Sequence, residues 1–496
     1  MQEKRFFRVL TLFLLFILCQ NAAAQNNAAF PRIRPDSKVL EYFILISDNA
    51  CSWRDLSEIS LWASGNSTPA NIDRFESAVV SLNNSAGLPL SGRERAEYIF
   101  DFMHRNYLRA YSLYQTRVDT IFTNGSYNCV SSSVLYMILC ESAGINTSAV
   151  ITKDHAFIMV HIDGQDIDVE TTNRYGFDPG NRREFHDQAG RLTGFTYVPA
   201  QNYTDRQTIG KIELISLILN NRIADLERRN GFTDAVPLAV DRAALLFGDS
   251  LAETGGSADS LFPDPRSDLF DRLLNYGGSL LRAGREEDSL RWAVTASLIY
   301  PSPDRWVSLI QMSVNNRTAK LLRDNRAADA KIFLENNRAY LTAETFAELD
   351  SVVTDADILY RANRITSAAS GDAVISDIEM ARNNGTLRRE RVFELLAFAV
   401  QKTTSAISAA PSRDWRAAVN YIEDVIARFG ESRELEQALL VYRGNLANDY
   451  HSRFAAEWNR RNYEEAERIL NEGLAEFPDN RQLLSNRAIV DRQNSR

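Results

Sequence analysis

Residues 154–172 read DHAFIMVHIDGQDIDVETT, and the pairing inside this stretch decides the fold of the first half of the chain. Asp163-Gly164 separates two runs of alternating residues, the pattern of a β-hairpin closed by a two-residue type I′ turn. That loop pairs Ile162 with Gln165, and hence Phe157 with Glu170 and His155 with Thr172. Ala156, Ile158, Val160 and Ile162 then share one face with Ile167 and Val169. His155, Phe157, Met159 and His161 share the other with Asp166, Asp168 and Glu170. A three-residue loop would shift the register by one and turn the carboxylates away from His155. Glu170 is the diagonal neighbour of His155, about 7–8 Å between backbones and within reach of long side chains. Asp168 lies roughly 13 Å along the strand from the position opposite His155, so Glu170 is the better partner. His155 and His161 are separated by about 20 Å of strand and cannot share a metal ion.

Upstream, Gly125–Ile145 reads GSYNCVSSSVLYMILCESAGI, a helix with both ends marked. Asn128 is a good N-cap and Gly144 stands where a C′ glycine belongs. Val134, Leu135, Ile138 and Leu139 are expected to form its buried stripe. Cys129 is then the first helical residue, where the macrodipole and unpaired backbone N–H groups favour a thiolate. Burial as a small apolar residue is the commoner fate of a free cysteine. A strand-borne His and a carboxylate downstream argue for the chemical role instead.

A Cys opening a helix, a His on the next strand and an acid at the end of the following one resemble the transglutaminase-like, papain-related cysteine superfamily. The resemblance covers roughly Arg93 to Phe177 and is strongest over Asn128–Thr172. Cys129 and Gly144-Ile145 match the family's helix, and His155-Ala156-Phe157 its His-Ala-aromatic strand. Glu170-Thr171-Thr172 falls where the family has an acid, usually Asp, before a Pro-Thr or similar pair. The resemblance implies that Cys129 is the nucleophile, that His155 activates it and later protonates the leaving group, and that Glu170 holds the imidazole. The Cys129 backbone N–H is a natural oxyanion donor. Gln115, Asn124 and Tyr127 are all candidates for a second.

The expected architecture is an α+β domain over residues 25–204, its Cys-bearing helix packed on an antiparallel sheet. An all-α solenoid similar to tetratricopeptide repeats is expected over 205–496. In that second span the strand pattern disappears and apolar residues recur at helical spacing. Ala466, Ala418 and Ser289 each precede an aromatic (Phe477, Phe429, Tyr300) by eleven residues, and Pro or Gly follows. A small residue permits close helix approach and the stop sets the next turn, as in helix-turn-helix repeats. The spacing is longer than in those repeats, which leaves an irregular helical bundle as the alternative. Trp292, Trp306, Trp415 and Trp458 are read as core, His104 as an interior histidine, and Arg228-Arg229 as solvated surface.

Residues 1–24 read as an export signal: Lys4, Arg5 and Arg8, an apolar run from Val9 to Cys19, then Ala22-Ala23-Ala24. That run is shorter than the roughly 20 residues a membrane span requires. A periplasmic or extracellular protein beginning near Gln25 is expected, with no integral membrane segment; a lipid anchor on Cys19 is the lesser option. Cys129 and Cys140 would lie about 16 Å apart on one helix and cannot form a disulfide. The net charge of −9 over 496 residues argues against nucleic-acid binding. No nucleotide loop or zinc spacing occurs, so no cofactor and no metal are expected. The function expected is amide hydrolysis or transamidation through a thioester on a protein or peptide substrate, with a protein partner on the repeats. The alternative is a non-catalytic scaffold that binds partner proteins.

Overall fold

The computed structural model describes residues 30–48, 51–89, 92–153, 155–179, 206–251, 264–409 and 413–494. The expected export signal and Cys19 lie outside these residues. The chain is mostly helical with a small sheet, and it divides into two compact units, Met1–Leu309 and Ile310–Arg496.

The first unit opens with helices α1 (Ser37–Ser47), α2 (Trp53–Ala63), α3 (Pro69–Asn83) and α4 (Gly92–Asn106). Short strands β1 (Ala110–Tyr111) and β2 (Ser126–Tyr127) pair in parallel around α5 (Asp119–Asn124). Then come α6 (Cys129–Ser142), β3 (Asn146–Ile151), β4 (Ala156–Ile162), β5 (Gln165–Val169) and β6 (Gln207–Ile209). The last four strands form one antiparallel sheet in the order β5-β4-β3-β6. Helices α7 (Lys211–Arg228), α8 (Phe232–Phe247), α9 (Pro265–Arg282) and α10 (Glu286–Ile299) follow.

The β4–β5 hairpin has the register its alternation dictates: Ile162 opposes Gln165, His161 opposes Asp166 and Ile158 opposes Val169. Asp163 and Gly164 both have positive φ, 52° and 78°, as a type I′ turn requires. The faces sort as expected, since His161 bonds Asp166 at 2.7 Å and Met159 and Asp168 both meet Arg206.

Helix α6 is the pivot of the unit. Asn128 caps it in a reciprocal capping box with Ser131, and Gly144 follows its end at φ +74°. Every residue from Cys129 to Cys140 is buried, not a stripe alone. The cause is enclosure, because α2, α3, α4 and α7 pack around it and β3 and β4 cover another side. Its serines stay satisfied there: Ser132 Oγ donates to Asn128 O at 2.8 Å, and Ser132 and Ser133 both bond Thr171 Oγ1.

The expected boundary at 204/205 does not coincide with the division of the chain. Strand β6 lies beyond it, contrary to the expectation of a wholly helical span, and adds an edge to β3. Three residues are too short to show a period in the sequence. Helix α7 packs on α2, α6 and β3, burying Leu214, Ile215, Ile218 and Leu219. Residues before α1 are tied to the helices that follow the sheet: Arg32 makes a two-point bond to Asp241 at 2.9 and 2.6 Å, and Tyr300 donates to Ile33 O at 2.6 Å.

The second unit begins within α11 (Pro303–Arg323) and continues with α12 (Ala327–Asn336), a 3₁₀ turn, α13 (Ala343–Ala362), α14 (Ala368–Asn383) and α15 (Arg389–Ile407). It ends with α16 (Trp415–Phe429), α17 (Arg433–Asn459), α18 (Tyr463–Glu476) and α19 (Arg481–Asn494). From α12 on, each helix packs on its successor. In addition α13 meets α15, α15 meets α17 and α17 meets α19, the sequential stacking consistent with a helical solenoid. Ala418 and Ala466 are fully buried where the small residue was expected. Gly371 lets α14 approach α15, for a Cβ there would strike the Thr403 side chain. No helix among the described residues is long and apolar enough to cross a membrane.

Candidate functional site

Cys129 lies at the N-terminus of α6, 8% exposed. Two features hold that end of the helix in place. Asn128 Oδ1 accepts from the Ser131 N–H at 3.0 Å, and Asn128 Nδ2 donates to Leu113 O at 3.3 Å. The bonds from Ser132 and Ser133 to Thr171 then pin the helix to the chain just after β5.

His155 and Glu170 come together here, but not as paired strand residues. The ladder between β4 and β5 stops at Ile158 and Val169. His155 closes the turn from β3 to β4, its carbonyl accepting from the Thr152 N–H at 2.9 Å. Glu170 is one residue past β5, its N–H donating to Gly176 O at 2.8 Å as the chain folds back to bridge Val169 with Phe177. Freed from the pleat, the two side chains meet directly: His155 Nε2 bonds Glu170 Oε2. The other carboxylate oxygen, Oε1, accepts from the Thr172 N–H at 2.9 Å and the Thr172 hydroxyl at 2.6 Å. Tyr127 donates its hydroxyl to Thr172 O at 3.3 Å, tying this segment back to β2. Asp168, the rival acid, is held by Arg206 in a two-point ion pair at 2.6 and 2.7 Å.

Cys129 also acts on His155, being one of the groups that favour its charged form. Burial alone would disfavour the imidazolium, yet the pKa of His155 is raised well above the ordinary histidine value. The Glu170 charge, the bond to Glu170 and the influence of Cys129 outweigh desolvation. Glu170 is held below the usual carboxylate range against its own burial, by His155 and by both Thr172 donors. Cys129, His155 and Glu170 therefore influence one another directly, with the Glu170 carboxylate bonded to the ring and the imidazolium favoured.

The other cysteines sit differently. Cys51, Cys129 and Cys140 are all free thiols. Burial, then Asp55, pushes Cys51 up to about 11. Cys140 is raised further by complete burial. His161 lies between Ser148 at 2.9 Å and Asp166, remote in its bonding from His155. Among the described residues no group of three or more His, Cys, Asp or Glu is placed to hold a metal ion.

Of the three residues considered as a second oxyanion donor, only Tyr127 spends its donor elsewhere; in Gln115 and Asn124 it is the amide oxygen that is engaged. Gln115 Oε1 accepts from the Arg117 N–H, Asn124 Oδ1 accepts from the Ser126 N–H, and Tyr127 reaches Thr172. Tyr111, not singled out by the sequence, pairs with Tyr127 across β1 and β2. Its hydroxyl is buried without a hydrogen-bond partner among the described residues, and Cys129 is the first charge it senses after its own burial. No spacing rule could have identified it, since a two-residue strand carries no period. Thr172, two residues after the acid, was read only as the residue opposite His155 in the hairpin register.

Cys129 and His155 open on a cavity of about 520 Å³, a size that suits a small ligand or a short length of chain. Its far wall comes from α7, α8 and α9. Comparison with known protein families finds no match, and neither does comparison with curated proteins.

Proposed function

We propose that this chain is an exported cysteine acyl-transfer enzyme of transglutaminase-like type, cleaving or transferring an amide through a thioester. The observation that carries the reading is His155 placed between Cys129 and Glu170, with both acid oxygens occupied. Taking an imidazole and a carboxylate out of water costs several kcal/mol per ion before their attraction repays it. Such an expense beside a cysteine at a helix N-terminus is typical of a catalytic site. A scaffold has no use for it.

In this reading the Cys129 thiolate attacks the carbonyl carbon of an amide, and the C–S bond forms as the carbonyl π pair moves to oxygen. The resulting oxyanion is stabilised by the Cys129 N–H and by the Tyr111 hydroxyl, a buried donor with no hydrogen-bond partner among the described residues. The His155 imidazolium gives its proton to the departing amine. Water or a second amine then attacks the thioester, passing its proton to His155 and releasing the thiolate. Glu170, fixed by Thr172, keeps the ring oriented throughout. The stacked helices of the second unit would dock the protein partner.

The test is intact-mass spectrometry of the full chain, quenched in acid after mixing with p-nitrophenyl acetate. A single acetyl adduct on Cys129, removed by hydroxylamine and absent in Cys129→Ala, is expected. Tyr111→Phe should slow its formation about 10²-fold. An adduct spread over Cys51 and other nucleophiles, unaffected by Cys129→Ala, would instead favour the partner-binding scaffold.

A further inference from the structure

The wall facing Cys129 carries a charge opposite to that of the whole chain. The cavity is lined by Lys153, Arg228, Arg242 and Arg272, but by only two carboxylates, Asp225 and Asp268. Outside the lining, Arg229 also pairs with Asp225 and Glu227 with Arg272, so adding these partners leaves the same excess of two cations. The chain as a whole has a net charge of −9. Arg228 and Arg229 are both exposed, as expected, and Arg228 also lines the cavity.

The excess is built in rather than incidental. Asp268 is shared by two guanidinium groups, Arg242 at 2.7 Å and Arg272 at 3.0 Å. The Arg242 side chain is only 4% exposed. Burial and then repulsion from Arg272 weaken its hold on its charge, against the pull of Asp268. Lys153, next to the β3–β4 turn that carries His155, is exposed and makes no ion pair among the described residues. A cavity of this volume is roughly 10 Å across if compact, which spans about three residues of extended chain.

We infer that the substrate bears a carboxylate within about three residues of the amide attacked by Cys129, recognised by Lys153, Arg242 and Arg272 in this cavity. The carboxylate is either a peptide C-terminus or an acidic side chain. This inference rests on the reading of Cys129 as nucleophile. It adds a substrate class to that reading, a short acidic peptide segment rather than any exposed amide.

Three chloroacetyl dipeptides test it on the full chain: chloroacetyl-Gly-Ala as the free acid, the same compound as its C-terminal amide, and chloroacetyl-Gly-Glu amide. In each the thiolate attacks the chloromethyl carbon, a C–S bond forms and chloride leaves, so only the distal charge differs. Rates are divided by those for glutathione to remove intrinsic reactivity. At least one acidic probe is expected to label Cys129 about 10-fold faster than the neutral one, the worth of a charge-assisted hydrogen bond. The acid that gains identifies the source of the carboxylate. Raised salt, Lys153→Gln and Arg272→Gln should each shrink the ratio. Lys153 is exposed, so its variant guards against a fold lost through Arg272. Equal normalised rates, with Cys129 still labelled, would overturn the acidic-substrate inference and leave the cysteine reading standing. Labelling of Cys51 in place of Cys129 would overturn both.

Discussion

Glu170 is one methylene longer than an aspartate would be, and Thr172 shows how that length is accommodated. With Oε1 fixed by two donors, only Oε2 is left to reach the imidazole, so the longer side chain gains no freedom. The carboxylate so placed favours the charged form of His155 and raises its pKa. Its raised pKa stabilises the fold fully below about pH 6.5, and that contribution is lost as pH rises through the folded value. His104 behaves in the opposite sense. Burial lowers it to about 4, so stability is lost as pH falls from about 6.5 towards that value. Histidine NMR separates the two, because the chain has only five His. His155 should titrate well above 6.5 and His104 near 4. Glu170→Gln should move His155 downward and leave His104 in place. A wild-type His155 titrating below 6.5 would remove the ion pair from the account. The pair Cys129 and His155 was legible because a helix cap and a hairpin turn leave strong local marks. Tyr111 is brought near Cys129 by tertiary packing, which no local pattern records, whereas Thr172 holds Glu170 from only two residues away.

At the scale of elements, legibility followed length and periodicity. The β4–β5 register was readable from Asp163-Gly164 and five alternating pairs. It failed only at its open end, where two turns lift His155 and Glu170 out of the ladder. Strands of two or three residues, β1, β2 and β6, left no trace. Helix α6 looked one-sided because Ser131, Ser132 and Ser133 read as polar, whereas in the fold they bond the chain and stay buried. The close approach of α14 to α15 yields a prediction of its own. Replacing a helical Gly by Ala ordinarily gains roughly 1 kcal/mol. At Gly371 the new methyl meets Thr403, which is buried with its hydroxyl on Ala399 O at 2.8 Å. Overpacking costs about 1–3 kcal/mol. Gly371→Ala should therefore destabilise the chain by about 1 kcal/mol in urea unfolding, and adding Thr403→Ala should recover most of the loss. A stabilised Gly371→Ala would show that the helices can separate freely.

For the molecule as a whole, the change from mixed to helical sequence near residue 205 is not where the first unit ends. Helices α7 to α10 complete that unit, and three of them wall the cavity beside Cys129. A chain ending at residue 204 lacks β6 and the α7 cover of β3 and α6, and it should aggregate or unfold without cooperativity. One ending at residue 323 should melt in a single transition and retain the reactivity of Cys129. The central claim, that this cysteine is activated by its neighbours, is most directly tested by limiting iodoacetamide at about pH 6, where an ordinary thiol of pKa near 8.5 reacts slowly. Peptide mapping of the folded, reduced protein should find Cys129 labelled first, ahead of Cys51 and Cys140, both of which are held in the thiol form. His155→Ala should abolish most of that preference, and Glu170→Ala should weaken it less. If Cys129 reacts no faster than the other two, or if His155→Ala leaves its rate unchanged, the catalytic assignment is contradicted.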